Sequence, residues 1–323
     1  CGMDMVIELP YLFASQAADI FSYGAISIMK HMKVDTIVFG SESNDIESLV
    51  KMATTQINDP NYDALVKEYM NSGLNYPTSM SCALEDITNV KVSSPNDILG
   101  ICYIKEIIKQ GCDINPICIQ RTNNYHDISL GNTISSATSI RRALKDGIAV
   151  DKYVPEATMK YLNNNLYFND QYFKILKYKI LTDSNLERYH TVDEGINYKL
   201  KEVIINAKSY DDLINMIKTK RYTYNKISRM LIHILNSFTK EEASKCDVTN
   251  YIRILGFNND GQKYLNSIKK EVNIPIITNF SSHKDIMLDI EMRTSTVYYS
   301  VLDDEHACEL MKEEYKHKPI KKD

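Results

Sequence analysis

Hydroxyl and guanidinium side chains are concentrated in one short segment, residues 133–147, which reads TISSATSIRRALKDG. Ser135 and Ser136 open the segment, and Arg141 follows about one helical turn later. If the segment is a helix, the free N–H groups of its first turn carry the positive end of the helix dipole. Such donors, together with hydroxyls and a guanidinium, are suited to hold a phosphate. An ordinary capped surface helix is the alternative, and this segment alone does not separate the two.

The helix that must position these groups is predicted by the same residues. Apolar Ile140, Ala143 and Leu144 recur at helical spacing, and Gly147 ends the pattern. Hydroxyl residues stand where an N-cap belongs. The segment therefore predicts a helix of about ten residues with one buried face.

Two further candidates lie where predicted strands end. The run of β-branched and apolar residues over 36–39 stops at Gly40, and the strand predicted over 115–120 is followed by Arg121. In α/β sheets, ligands bind beyond the carboxyl ends of the strands. Gly40 and Arg121 are therefore candidate ligand contacts, with a structural turn glycine and a solvated loop cation as the alternatives.

Asn96 and His126 are weaker candidates. Asn96 stands at the start of a predicted helix, where an amide either caps the helix or faces a ligand. His126, beside Asp127, is a candidate acid or base, and a histidine that holds its loop by hydrogen bonds is the commoner alternative. No His, Cys or Glu spacing predicts a metal site.

Hydrophobic patterning divides the chain into two parts. A strand over 3–9, a helix over 13–32 and a strand over 36–39 predict a βαβ unit. From residue 167 onward helical periodicity dominates. We predict an α/β domain over 1–165 and a mostly α-helical domain over 166–323, in which residues 251–257 pack beside a turn at Gly261.

Residues 218–229, KTKRYTYNKISR, form a second cation-rich segment with five cations and no acid. Cations bind the phosphates of RNA and interleaved tyrosines stack on its bases, so this combination of residues is typical of an RNA-binding surface. A solvated helix face is the alternative. The candidate RNA contacts are Lys218, Lys220, Arg221, Tyr222, Tyr224, Lys226 and Arg229.

Composition limits the class of protein. The 323 residues are 44% hydrophobic and 25% charged, which is typical of a globular protein, and no apolar run is long enough for a membrane span. The seven cysteines include no CxxC pair, which favours reduced thiols and a cytoplasmic protein. A net charge of −4 does not by itself predict a nucleic-acid binder.

Taken together, these motifs resemble the nucleotidyltransferase superfamily that is marked by an HxGH motif. Within it the chain is most similar to the bacterial tRNA(Met) cytidine acetate ligases. The resemblance runs along the whole chain and rests on CGMDMVIELP, VFGSE, PNDILG, IQR followed by YHD, ISSATSIR, KRYTYNKISR and YIRILGF.

The resemblance implies a Rossmann-like nucleotidyltransferase domain, incomplete at its N-terminus, followed by a helical tRNA-binding domain. It implies an enzyme that uses ATP, with Mg²⁺, to activate acetate as acetyl-adenylate. The acetyl group then passes to the wobble cytidine of elongator methionine tRNA, giving 4-acetylcytidine. By the family pattern Gly40, Asn96 and Arg121 contact ATP, and by analogy with the superfamily Ser135, Ser136 and Arg141 contact its phosphates.

One element of the family pattern is not in the printed sequence, which begins at Cys1 and contains no HxGH. By that pattern about 60 residues, or two βα units, precede this point. We therefore expect a truncated chain that does not make acetyl-adenylate unaided. Two alternatives remain open: another adenylyltransferase or nucleotidyltransferase of the superfamily, and a non-catalytic RNA-binding protein.

Overall fold

The computed structural model describes residues 2–92, 94–122, 130–131, 134–162, 166–316 and 318–322. In chain order the strands and α-helices are β1 (Met5–Ile7), α1 (Tyr11–Ala14), α2 (Ala18–His31), β2 (Thr36–Ser41), α3 (Ile46–Asn58), α4 (Tyr62–Asn71), α5 (Tyr76–Thr88), α6 (Pro95–Lys109), β3 (Asn115–Gln120), α7 (Ala137–Lys145), α8 (Glu156–Leu162), α9 (Asn169–Thr182), α10 (Ile196–Val203), α11 (Tyr210–Ile217), α12 (Tyr224–Leu235), α13 (Lys240–Lys245), β4 (Ile252–Phe257), α14 (Asn259–Ile268), β5 (Ile276–Ile277), α15 (Ile286–Tyr299), α16 (Asp304–Lys316) and β6 (Ile320–Lys321).

Strands β2 and β3 form a parallel pair. Helices α3 to α6 make the crossover between them, and Gly40 lies opposite Ile119. The Phe39 ring packs against Gly100 of α6, where a Cβ atom would lie 2.5 Å from it. Because parallel strands end at the same edge, the residues after β2 and β3 become neighbours.

The predicted βαβ unit from β1 to β2 is wrong. β1 pairs with β4 in antiparallel orientation, and β4 also pairs with β5 and β6. Helix α2 packs on both sheets, because Ile28 contacts the cluster around Ile252 whereas Ile26 contacts Ile37. The local pattern specified each strand, but the neighbour of β1 is set by packing with a segment about 250 residues away.

The second half is helical, as predicted, and α9 to α12 share one core that includes Leu176, Leu200 and Leu231. A further cluster joins Phe13 to Phe238 and Met287, so apolar packing runs across residue 165. The domain boundary near 165 stays a prediction. Among the described residues, no helix is long and apolar enough to cross a membrane.

The turn predicted at Gly261 is wrong, because Gly261 lies in the first turn of α14. Asn258 caps that helix by accepting hydrogen bonds from the Asp260 and Gly261 N–H groups. A Cβ atom on Gly261 would lie 2.0 Å from the Asp4 carbonyl oxygen. Glycine is therefore needed here for the close approach of α14 to the chain before β1.

Candidate nucleotide-binding site

Helix α7 confirms the helix predicted around ISSATSIRRALKDG. Ser136 is its N-cap, and its hydroxyl accepts a hydrogen bond from the Ser139 N–H at 3.0 Å. The helix ends at Lys145, and Gly147 follows with a φ of +71°. The N–H groups of Ala137 and Thr138 have no hydrogen-bond partner in the part of the chain that the structure describes.

A cavity of about 540 Å³ lies between the ends of β2 and β3 and the start of α7. It brings together five of the six residues predicted to contact ATP: Gly40, Arg121, Ser135, Ser136 and Arg141. The rest of its lining consists of Ile119, Gln120, Thr122, Ile134, Ala137 and Thr138. The strand ends and the helix start thus converge on one site, as the sequence predicts.

Gly40 and Arg121 are in direct contact across the strand pair. A Cβ atom on Gly40 would lie 3.3 Å from the Arg121 Cγ atom, so glycine leaves room for the arginine side chain to cross the strand. The Arg121 N–H donates to the Ser41 carbonyl at 2.9 Å, which fixes the start of that side chain. Gly40 therefore serves the site through the space that it leaves.

The two arginines of α7 differ. Arg141 is exposed, lines the cavity and forms no ion pair with any described residue. Arg142 points to Asp146, with 3.8 Å between its Nε atom and a carboxylate oxygen. A cation without a partner at the positive end of a helix is the arrangement that binds an anion.

The hydroxyls of Ser135 and Ser136 shape the start of α7. The Ser135 hydroxyl accepts a hydrogen bond from the Gly131 N–H at 2.9 Å, and the Ser136 hydroxyl forms the cap. Ser136 is buried, while Ser135 is half-buried. Both residues border the cavity, so a phosphate there would meet the first turn that they hold in place.

Asn96 does not line the cavity. It is not the N-cap of α6 either, since that position belongs to Ser94. Its Nδ2 atom donates to Glu42 Oε1 at 2.5 Å, and the same oxygen lies 3.8 Å from Arg121 Nε. Asn96 is thus connected to the cavity through one carboxylate.

Asp97 is a site residue that the sequence reasoning missed. It is only 3% exposed, and its carboxylate accepts hydrogen bonds from the Glu42 N–H at 3.1 Å, the Ser43 N–H at 3.0 Å and the Ser94 hydroxyl at 2.6 Å. The Ser41 hydroxyl also donates to it. Asp97 therefore fastens the loop after β2 to the start of α6. The available signal was an acid in the first turn of a helix that follows a polar loop.

His126 and Asp127 lie outside the described residues, so the acid or base proposed there stays a prediction. Within the described ranges, no group of three or more His, Cys, Asp or Glu side chains could hold a metal ion.

The second cation-rich segment, residues 218–229, is partly covered by the fold. Lys218, Lys220 and Arg221 are exposed, and Arg221 forms an ion pair with Glu194. Burial lowers the pKa of Lys226 and of Arg229, which are both half-buried on α12. The segment thus offers fewer free cations than its sequence suggests.

Tyr222 departs from its predicted role as a base-stacking surface. It is 8% exposed, and Lys226 Nζ lies 4.1 Å from its ring centroid. Its hydroxyl donates to the Asp193 carbonyl at 3.2 Å and to Glu194 at 3.1 Å. Burial, with the hydrogen bond to Glu194, raises the pKa of Tyr222 to about 12. We therefore leave Tyr222 out of the RNA surface.

Tyr224 begins a chain of polar contacts that leads from this segment to the C-terminal end of α7. Its hydroxyl donates to Asp211 at 2.9 Å at the start of α11. Beside it, Asp170 accepts from the Tyr210 N–H at 3.2 Å and pairs with Lys145 of α7 at 2.8 Å. The exposed cations near the start of α12 and the C-terminal end of α7 are thus joined by a short polar chain.

A parallel strand pair that ends against the first turn of a hydroxyl-capped helix, with two arginines at one cavity, defines a nucleotide-binding site of the nucleotidyltransferase class. Comparison with known proteins places the chain more closely. A tRNA(Met) cytidine acetate ligase from Bacillus cereus is 35% identical over 100% of this chain and 88% of its own length. The ligase of that name from Anoxybacillus flavithermus is 38% identical over 99% of this chain and 84% of its own length.

The fold agrees with these relatives. TmcAL of Thermotoga maritima in its apo form I superposes with a TM-score of 0.91 at 27% identity, covering 99% of this chain and 85% of that one. The same protein bound with alpha-thio ATP gives 0.86 at 26% identity, covering 99% and 84%. The chain belongs to the HIGH Nucleotidyl Transferase family, which it matches over residues 1–314, and within it to the tRNA(Met) cytidine acetate ligases.

Proposed function

We propose that this protein is an ATP-dependent acetate ligase that acetylates the wobble cytidine of elongator methionine tRNA to 4-acetylcytidine. The observation that carries the proposal is the cavity in which Arg121, Arg141 and the first turn of α7 converge. The proposal is supported by the ligase name of the relatives and by the alpha-thio ATP bound to a structural neighbour.

The chemistry requires positive charge more than a protein nucleophile. A carboxylate oxygen of acetate attacks the α-phosphorus of ATP, the bond to the bridging oxygen breaks, and pyrophosphate leaves with its electron pair. Charge that develops on the phosphates is stabilised by fixed donors and cations. Arg121, Arg141 and the N–H groups of Ala137 and Thr138 would supply these, and Mg²⁺ would share the phosphate charge.

In the second step the exocyclic amine of cytidine attacks the acetyl carbonyl carbon. The acyl–phosphate bond breaks, AMP leaves and the amine loses a proton. A flipped or single-stranded base is needed for this step, because a base in a duplex does not present its amine to a protein pocket. A wobble position in an anticodon loop meets that need.

For the tRNA surface we propose Lys218, Lys220, Arg221, Tyr224, Lys226 and Arg229. The first three are exposed cations, and Tyr224 leads through Asp211 and Asp170 toward α7. An RNA that lies on the start of α12 would therefore be on the same side of the molecule as Lys145 at the end of α7. We propose the cytoplasm as the place where this reaction occurs.

Nucleotide and RNA binding test the two halves of the proposal separately. We expect the chain to bind ATP, and Arg121→Ala to lose most of that affinity. If the chain binds tRNA but not ATP, the result would favour a non-catalytic RNA-binding protein.

Acetate dependence tests the reaction. We expect isotope exchange between pyrophosphate and ATP to require acetate. Exchange without acetate would favour another nucleotidyltransferase.

A further inference from the structure

Glu42 stands between two residues that the family pattern assigns to ATP. Its Oε1 atom accepts a hydrogen bond from Asn96 Nδ2 at 2.5 Å and lies 3.8 Å from Arg121 Nε. Its Oε2 atom is 3.3 Å from the Asp97 N–H. A single carboxylate therefore connects the start of α6 to the arginine that enters the cavity.

The backbone of Glu42 is fixed on both sides. Its N–H donates to the Asp97 carboxylate at 3.1 Å, and its carbonyl accepts from Gln120 Nε2 at 2.9 Å. The loop after β2 is thus held to α6 and to the end of β3. Because the backbone is held, the carboxylate has a defined position before any nucleotide binds.

Arg121 needs such a partner. Its side chain crosses Gly40, and its Nε atom is buried without a hydrogen-bond partner among the described residues. Glu42 faces this Nε edge at 3.8 Å. A carboxylate on that edge limits the rotamers of the guanidinium and leaves its terminal N–H groups for a phosphate.

We propose that Glu42 is a positioning residue that holds Arg121 and Asn96 in their nucleotide-binding orientations. The inference rests on the proposed ATP site. The competing expectation is that a carboxylate so near a triphosphate simply repels it. The two expectations differ in sign: removing a positioning residue weakens ATP binding, whereas removing a repulsive charge tightens it.

Equilibrium binding of ATP to the full chain separates them. For Glu42→Ala we expect roughly 10-fold weaker binding, as for the loss of a hydrogen bond to a charged group. For Glu42→Gln we expect ATP binding to be about 3-fold weaker, because the amide oxygen still accepts a hydrogen bond from Asn96 but no longer carries a negative charge beside Arg121. Glu47→Gln is the matched control, since Glu47 is exposed on α3 and its side chain forms no hydrogen bond with described residues. The ATP affinity of the Glu47→Gln variant should equal that of the parent chain.

A double-mutant cycle tests whether Glu42 acts through Arg121. In an Arg121→Ala background, measured at millimolar ATP, the effect of Glu42→Ala should shrink from roughly 10-fold to about 3-fold, because residues that share a partner are not additive. Equal effects in both backgrounds would overturn the inference, and so would tighter binding in either Glu42 variant. Glu42→Gln keeps the size of the side chain and remains informative if Glu42→Ala folds poorly.

The proposed ATP site and this inference fail in different ways. A parent chain that does not bind ATP, or whose affinity is unchanged by Arg121→Ala, overturns both. A parent chain that binds ATP and depends on Arg121, but is indifferent to Glu42, overturns only the positioning role.

Discussion

In the sequence, the start of α7 resembles the segment 218–229, because each contains cations and lacks neighbouring acids. The α7 segment has no acid before residue 146, and the chain around 218–229 has none across 213–240. In the structure they differ. Arg141 borders a cavity and has no ion-pair partner among the described residues, whereas Arg221 pairs with Glu194 and Lys226 covers the Tyr222 ring. A stretch that lacks acids in sequence is therefore not always free of acids in space.

Within the segment 218–229, the exposed cations are less strongly covered by neighbouring groups than the half-buried cations are. The ion pair of Arg221 and Glu194 is solvent-exposed, with side chains 53% and 42% accessible, and such pairs contribute little. An RNA phosphate could therefore compete for Arg221. Lys226 and Arg229 are more deeply covered, so we expect them to contribute less to RNA binding than Lys218 and Lys220.

The largest effect should come from the first region. Arg141→Ala should weaken ATP binding by roughly 10- to 150-fold, since a charge-assisted hydrogen bond contributes about 1.5–3 kcal/mol. Arg142→Ala removes the same charge one residue away, where the side chain turns to Asp146. Titration with ATP should show a change of less than about 3-fold for Arg142→Ala. Equal losses for the two variants would mean that net charge alone attracts the nucleotide.

The stability of α12, the helix that carries part of the second region, should depend on pH. His233 of α12 is fully buried, with Nε2 3.2 Å from the Ser15 hydroxyl and Nδ1 3.1 Å from the His190 carbonyl. Burial, with the nearby His190, lowers the pKa of His233 to about 4. Between pH 6.5 and 4, His233 is protonated in the unfolded chain but stays neutral in the folded chain. The contribution of neutral, buried His233 to the free energy of unfolding is therefore present above pH 6.5 and is lost as the pH falls toward 4.

We expect this loss to be on the order of 3 kcal/mol. Denaturant unfolding between pH 7 and 4 measures it. His233→Gln should flatten the pH dependence even if it lowers stability overall. A slope that survives in His233→Gln would assign the acid sensitivity to other groups.

A smaller effect should separate the exposed from the covered cations of segment 218–229. The double variant Lys218→Ala/Lys220→Ala should lower the salt slope of tRNA binding by about 1.4 to 1.8, or about 0.7 to 0.9 for each phosphate contact. The matched pair Lys226→Ala/Arg229→Ala should change it by less. A larger change in the covered pair would indicate that α12 opens when RNA binds.

The smallest effect concerns the acid that covers the segment. Glu194→Gln removes the carboxylate charge that pairs with Arg221 and that accepts a hydrogen bond from the Tyr222 hydroxyl. We expect tRNA binding to tighten by less than about 5-fold, the range of an exposed ion pair. Weaker binding in this variant would show that Glu194 orients Arg221 for the RNA, as we propose for Glu42 and Arg121.

Much of the site was predictable because its signals are local. Helix α7, its serine cap and the ends of β2 and β3 follow from residue type and spacing. Gly40, Arg121 and Arg141 were candidate ligand contacts on that basis, and the family resemblance assigned them to ATP. Asp97 and Glu42 were missed because their roles arise only when the loop after β2 meets the start of α6, more than 50 residues later in the chain. The pairing of β1 with β4 was missed for the same reason.

The sequence by itself determined most of the helices and strands, where α7 begins, and which side chains are able to bind phosphate. It did so because capping, turn formation and hydrophobic periodicity act over a few residues. Only the tertiary structure decided which cations remain available. Glu194 reaches Arg221 and Glu42 reaches Asn96 and Arg121 across long stretches of chain, so charge balance in space is a property of packing.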